Sequence, residues 1–471
     1  MIDRYWTPKM RELFKTNTKK FWYWHLVEIT VLAVSADKGS ISKEDYKEIV
    51  ERTWVDDLVG HAIERRDKLI NHDLNAFIEI IRLQILLPHE TCVSIFTLEN
   101  DETFNDAVTE GLKATGHAKL ANLFHNGMTS YDTEEPAMAL LLIDACAVIN
   151  KGQEALSAAL RIKAKEYRGC VMMGRTHGQH AQPITFGIKL LNYEAQVSNS
   201  DDVFQCTENQ IRVMKLSGAV GTYGTISPED EEAVGRLLGL TPVIATQIIP
   251  LEQRARVVNE LAIIASVLEK IARDLWQLST TEVGEIREPF SKKQKGSSAM
   301  PHKKNPITLE KVFGLASVVR GCASAVMENI ATSHERDISH SSVERLALVD
   351  AFATVDHMLE CLTKVISGME VFPERMKQNI ELSYGTFASQ RVEMFLKDCG
   401  MPAEEAYRTV QDCCFQAMST KTPLRHVLVK KCELLQEQLN DEERLTRYER
   451  IFDPSEWIRA EGFIYQRQGI D

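Results

Sequence analysis

The stretch Lys295-Gly-Ser-Ser-Ala-Met-Pro-His-Lys-Lys-Asn-Pro306 sets two adjacent hydroxyls beside a glycine and three lysines. Between Arg287 and Lys304 six cations (287, 292, 293, 295, 303 and 304) stand against one acid, Glu288, in a chain of net charge −12. Such a local excess attracts an anion. By composition alone the stretch also reads as a solvated surface loop.

A second stretch, Gly174-Arg-Thr-His-Gly-Gln-His-Ala-Gln-Pro183, carries two histidines, a threonine and two glycines. Histidine moves protons near neutral pH. His177 and His180 could also bind zinc, although no third ligand follows at a recognisable spacing. A structural loop, an acid–base site and a metal site all remain open from these residues. A third stretch runs from Ser333 through His-Glu-Arg-Asp-Ile-Ser-His-Ser-Ser-Val-Glu to Arg345. Read as helix, it puts Ser341 and Arg345 on one face with Arg336 partly round from them. Two guanidiniums and a hydroxyl suit a phosphate or carboxylate. A salt-bridged helix surface using Glu335, Asp337 and Glu344 is the plainer alternative. Short polar groups are scattered elsewhere: Arg4-Tyr5, Asn71-His72-Asp73 and His125-Asn-Gly-Met-Thr-Ser130.

Helices must position these groups. Proline breaks helix interiors, and none occurs between Pro136 and Pro183, Pro183 and Pro228, Pro250 and Pro289, or Pro306 and Pro373. Leu261, Ile264, Leu268, Ile271, Leu275 and Leu278 alternate spacings of three and four, as do Leu142, Ala145, Ile149, Gly152, Leu156 and Ala159. These are the apolar stripes of bundled helices. Ser227-Pro-Glu-Asp230 and Asp453-Pro-Ser-Glu456 read as capped helix starts. Strand-like alternation is scarce. The expected fold is all-α in three helical regions: 1–126, a central long-helix bundle over 127–366 containing the basic loop 291–306, and 367–471. Faces this long and apolar call for partners from other subunits.

The 471 residues can bury several cores without staples. Acids outnumber bases by 67 to 55, which argues against a nucleic-acid binder. Ten dilute cysteines with no CxxC pair argue against a disulfide scaffold and a zinc ribbon. MIDRYWTPKM lacks the apolar run of a signal peptide, and the longest apolar run, Ala137 to Ile143, is far short of a membrane span. A cytoplasmic chain with reduced thiols is expected.

Together the segments form a longer pattern. Gly296-Ser-Ser-Ala-Met-Pro-His-Lys-Lys-Asn-Pro306 resembles the signature loop of the fumarase/aspartase superfamily. Arg4-Tyr5, the Gly174 stretch, Ser217-Gly-Ala-Val-Gly-Thr-Tyr223 and the His334–Arg345 stretch resemble its adenylosuccinate lyase branch, in the same order along the chain.

The resemblance implies three α-helical domains in a homotetramer, with active sites drawn from three subunits. It implies β-elimination of fumarate from adenylosuccinate, giving AMP, and from the succinylated carboxamide intermediate SAICAR, giving AICAR. The alternative is another fumarate-releasing C–N lyase acting on argininosuccinate or a different aminosuccinate. Ser297 is implied as the base and His177 as the acid, with Ser298 the neighbouring candidate for the base. Glu310 would orient His177. Lys303, Asn305, Thr129 and Ser130 would hold the succinyl carboxylate, and amides near Met300 would stabilise the serine alkoxide. Arg4, Tyr5, Arg336, Ser341 and Arg345 would grip the phosphate. Gln247 would meet the succinyl group or base. His72, with Asn71 and Asp73, would contact the leaving-group side, with His125 nearby and Thr176 beside the acid. No metal or organic cofactor is implied. The chain departs from the branch's pattern at Asn71, Tyr131, Leu251–Arg254 and Ser333, and over a longer stretch at about 83–122.

Overall fold

The computed structural model describes residues 1–291 and 293–470. Lys292, one of the six cations of the basic stretch, and Asp471 lie outside the described residues. The fold is all-α, as the proline-free windows and apolar stripes predict. Its helices of fourteen residues or more are α1 (Thr18–Asp37), α2 (Asp57–Ile70), α3 (Asp73–Leu86), α4 (Ser130–Glu166), α5 (Phe186–Glu208), α6 (Glu252–Leu278), α7 (Ile307–Glu328), α8 (Val349–Gly368) and α9 (Ala403–Thr420). All six residues of the α6 stripe are buried. So are Leu142, Ala145, Ile149, Leu156 and Ala159 on α4, with Gly152 half-buried. Ser227 caps the Pro228–Leu238 helix in a full capping box with Asp230.

Four local expectations change. α4 runs for 37 residues straight through Pro136. That proline sits early in the helix, where its missing N–H deprives only the Asp132 carbonyl, and the long apolar stripe beyond outweighs the loss. The Pro306–Pro373 window is not one helix. α7 ends at Glu328, and helix resumes only at Ser339, passing through a π-turn over Glu344–Leu348 into α8. The Asp337 carboxylate accepts from the backbone N–H groups of Ser333 and Ser339, both at 2.8 Å, and so competes with helical bonding. Arg336 therefore lies on a connection, and the helical-face argument does not apply to it. The start at Asp453-Pro454 yields only a 3₁₀ turn, Pro454–Trp457. Finally, the His177 stretch forms a hairpin of β1 (Val171–Thr176) and β2 (Gln179–Thr185).

The chain divides into two compact units. The first comprises Met1–Gly152, Ser200–Ala265 and Leu315–Met358; the second comprises Gln153–Asn199, Ser266–Gly314 and Leu359–Asp471. In the first unit Val34, Ala139, Met214, Leu216, Val234 and Leu240 form one buried cluster. In the second, Met173 of the hairpin packs with Val392, Phe395, Val410, Leu424, Leu428 and Leu435. Among the described residues no helix is long and apolar enough to cross a membrane.

Candidate active site

In the second unit, His177 and Gly178 are the two residues that turn the hairpin. Their φ values are +53° and +73°, and Thr176 pairs with Gln179 across them. Two consecutive positive φ values make the tight reversal whose twist matches paired strands, and the glycine takes the second position without strain. His177 is thereby held exposed at the tip. The hairpin is fixed close to its turn by Arg175, whose guanidinium donates to both oxygens of the fully buried Glu285 at 2.7 and 3.0 Å. His180 lies opposite Arg175, and burial followed by the Arg175 charge lowers its pKa. Among the described residues no cluster of three or more His, Cys, Asp or Glu could hold a metal ion.

The basic loop in the same unit folds back on itself. The Lys303 N–H donates to the Met300 carbonyl at 2.9 Å. A Cβ on Gly296 would lie 2.5 Å from the Lys303 carbonyl oxygen, so only glycine permits this closure. Inside it the Ser297 Oγ accepts the backbone N–H groups of Ala299 at 3.3 Å and Met300 at 3.2 Å. Two amides aimed at one hydroxyl oxygen would stabilise that oxygen as an alkoxide. Ser298, Met300 and Lys303 are exposed, and Asn305 is half-buried. After the loop, the Glu288 carboxylate accepts from the N–H groups of Thr308 and Leu309 at 3.2 and 2.6 Å and so caps α7. Glu310, one turn on, accepts from the Trp276 indole at 3.1 Å. No hydrogen bond joins Glu310 to His177 among the described residues.

The first unit gathers most of the remaining candidates. Arg336 donates to the Gln247 Oε1 at 3.2 Å and to the Tyr131 hydroxyl at 2.9 Å, and its guanidinium lies 4.0 Å from the Tyr131 ring centre. Arg345 donates to Asp73 at 3.2 Å, and Lys20 reaches the same oxygen at 3.2 Å. His72 caps α3, accepting the Asn75 N–H at 3.2 Å on Nδ1, and Asn71 ends α2 with φ of +52°. His125 meets the buried Glu28 at 2.7 Å. The Thr129 N–H donates to Asp132 at 2.9 Å, and Ser130 opens α4. Tyr5 packs against His357 with ring centres 5.2 Å apart and the ring planes tilted by 57°. No hydrogen bond ties Arg4 or Tyr5 to Arg336, Ser341 or Arg345 among the described residues.

Asp73, Ser341 and Arg345 line a cavity of about 320 Å³, together with Lys20, Tyr131, Glu134, Glu135, Arg254 and Glu344. Its electrostatics are finely divided. Burial alone would raise the Asp73 carboxyl, but Lys20 and Arg345 outweigh it and hold it below the usual range. Burial, reinforced by Asp73, pushes Glu134 up to about 8. Arg254, buried between Glu135 and Glu344, offsets the charge of both; its nitrogen lies 2.5 Å from Glu344.

Tyr131, Glu134, Glu135, Arg254 and Lys20 were not among the sequence candidates. A signal did exist: Tyr131 and Arg254 fall on the very segments where the chain leaves the family's pattern.

Comparison with known proteins agrees along the whole chain. A family described as lyase matches residues 70–321, and one described as adenylosuccinate lyase C-terminus matches 385–468. The adenylosuccinate lyase of Aquifex aeolicus is 35% identical over 468 residues, 99% of this chain and 98% of that protein. Those of Synechocystis sp. and Bacillus subtilis are 37% and 36% identical over 471 residues, all of each chain. Among solved structures, a fumarate lyase from Mesorhizobium sp. BNC1 superposes with a TM-score of 0.80 at 24% identity, covering 100% of this chain and 99% of that one. The 3-carboxy-cis,cis-muconate lactonizing enzyme of Pseudomonas putida gives 0.80 at 23% identity, covering 98% and 96%. These two likenesses concern the fold.

Proposed function

The chain belongs to the adenylosuccinate lyase family, and from that premise we propose that it eliminates fumarate from adenylosuccinate, giving AMP, and from SAICAR, giving AICAR. The observation that carries the chemistry is the Ser297 Oγ under the amides of Ala299 and Met300. A serine is a poor base unless its alkoxide is stabilised, and these donors, with the cations of the loop, supply that stabilisation.

In the proposed reaction Ser297 takes the proton from the carbon beside a succinyl carboxylate. The charge spreads onto that carboxylate, where Lys303, Asn305, Thr129 and Ser130 meet it. The C–N bond breaks, and His177 protonates the departing nitrogen. Arg336, Ser341 and Arg345, with Arg4 and Tyr5, hold the phosphate, and Gln247 holds the succinyl group or base. His72, Asn71 and Asp73 serve the leaving-group side, with His125 nearby.

Homotetramers with shared sites complete the proposal, in cytoplasm, with the chain divided at about 126 and 366. Ile263 on α6 is 50% exposed, and Val318 and Met327 on α7 are 48% and 47% exposed, which suits faces covered by other subunits. The lack of a Glu310–His177 bond among the described residues suits a pair completed between subunits. Ultraviolet absorbance on adding adenylosuccinate, with fumarate assayed in the same tube, tests the reading. Equal amounts of AMP and fumarate are expected. No change with folded protein sinks it and turns attention to other aminosuccinates.

A further inference from the structure

Tyr131 takes no part in the elimination as described, yet it is among the most constrained residues of the first unit. It is 6% exposed and packs against Ile248 and Leu251. Its hydroxyl sits between two groups whose roles are fixed by chemistry. His340 Nδ1 lies 2.9 Å from the Asp337 carbonyl, which can only accept, so Nδ1 carries the proton. In the neutral ring Nε2 is then an acceptor, and the Tyr131 hydroxyl, 3.2 Å away, donates to it. The same hydroxyl accepts from Arg336 Nη2 at 2.9 Å. The result is a one-directional chain: Arg336 to Tyr131, Tyr131 to His340, His340 to the backbone. Asn329 separately donates to the His340 backbone carbonyl at 3.0 Å.

The guanidinium at the head of this chain is oriented on three sides. The Tyr131 ring stacks at 4.0 Å, the hydroxyl takes Nη2 and Gln247 takes Nη1 at 3.2 Å. Its Nε is buried and without a hydrogen-bond partner among the described residues. A buried N–H left unmatched is costly, and an arriving phosphate oxygen would satisfy it.

On the reading that the substrate is a phosphorylated succinyl-purine, we propose that Tyr131 is a positioning residue that orients the Arg336 guanidinium for the phosphate. A side chain lacking the ring and the hydroxyl could supply neither contact to Arg336. Tyr131 thus contributes to discrimination between phosphorylated and unphosphorylated substrate through the guanidinium it orients.

The test is the full-length Tyr131→Phe variant, which keeps the ring and loses the hydroxyl. Steady-state kinetics are compared on adenylosuccinate and on succinyladenosine, the same molecule without phosphate. The ratio of kcat/KM for the first over the second should fall about tenfold, carried by KM, as for one hydrogen bond to a charged group. AMP binding by calorimetry should weaken by a similar factor relative to adenosine. In an Arg336→Ala background the Tyr131→Phe change should have no further effect on the ratio. An unchanged ratio, equal losses on both substrates, or additive losses in the double variant overturns the positioning role while leaving the elimination reading intact. A wild-type chain that neither cleaves adenylosuccinate nor binds AMP overturns both.

Discussion

The Arg345 guanidinium donates to the Asp73 carboxylate at 3.2 Å, so a cation proposed for the phosphate is bound to an acid proposed for the leaving-group side. The Asp73 carboxyl is 20% exposed and the Arg345 side chain 65%. The acid is the fixed partner and the arginine the one free to turn toward a ligand. Arg345→Ala should raise the KM for adenylosuccinate about tenfold or more, as loss of a charged hydrogen bond does, with a much smaller effect on succinyladenosine. It should also raise the Asp73 pKa, because one of the two cations that lower it is gone. Carbon-detected NMR titration reads that shift, and an unmoved Asp73 would contradict the pairing.

Ser297→Ala should reduce kcat by at least about a thousandfold while substrate binding changes only a few-fold, since the change removes the base and little contact. Gly296→Ala offers a subtler test. Its methyl group would meet the Lys303 carbonyl at 2.5 Å, so the loop must open and the two amides leave the Ser297 Oγ. We expect kcat to fall about tenfold or more with the melting temperature nearly unchanged, because the loop is exposed.

His177→Ala should slow cleavage of both purine substrates, and Glu310→Gln should do so less. Ser297→Ala and His177→Ala subunits, unfolded together and refolded, should regain part of the wild-type rate if one site takes these residues from different chains. Mixed tetramers shown to have formed but still inert would argue for sites built within one subunit.

Arg254 is 4% exposed and Glu135 is fully buried. Arg254→Met should destabilise the fold by about 3–5 kcal/mol, because it leaves two buried carboxylates without their cation. Adding Glu135→Gln and Glu344→Gln should recover much of the loss in chemical denaturation. Failure of that rescue would mean that the arginine acts by packing rather than charge.

Burial pushes the His25 imidazole down to about 4. The Thr53 hydroxyl donates to the Ile49 carbonyl at 2.9 Å and therefore accepts from His25 Nε2 at 2.8 Å. The unfolded chain takes a proton at this histidine near pH 6.5, whereas the folded chain resists until about 4. Protons thus favour the unfolded state within that window. Stability from this site is complete above pH 6.5 and falls as pH drops toward 4, by roughly 1–3 kcal/mol. His25→Gln should flatten the acid limb of a profile of unfolding free energy against pH by that amount.

The all-α class and the α4 and α6 stripes follow from local periodicity, which any chain of this sequence must satisfy to bury its apolar residues. The Ser227 capping box is equally local. The hairpin was harder to see, because its defining signal is one His-Gly pair, and Gly178 alone does not announce strands. The candidate chemistry was legible as residue types: a hydroxyl beside lysines, a histidine in a turn, arginines near a serine. What the sequence could not express is partnership across distance. That Arg345 would be held by Asp73, Arg336 by Tyr131 and Arg254 by two acids depends on residues about 90 to 270 positions apart meeting in one unit. Such pairings are decided by packing and by the cost of burying an unmatched charge, and neither leaves a mark on the spacing of residues along the chain.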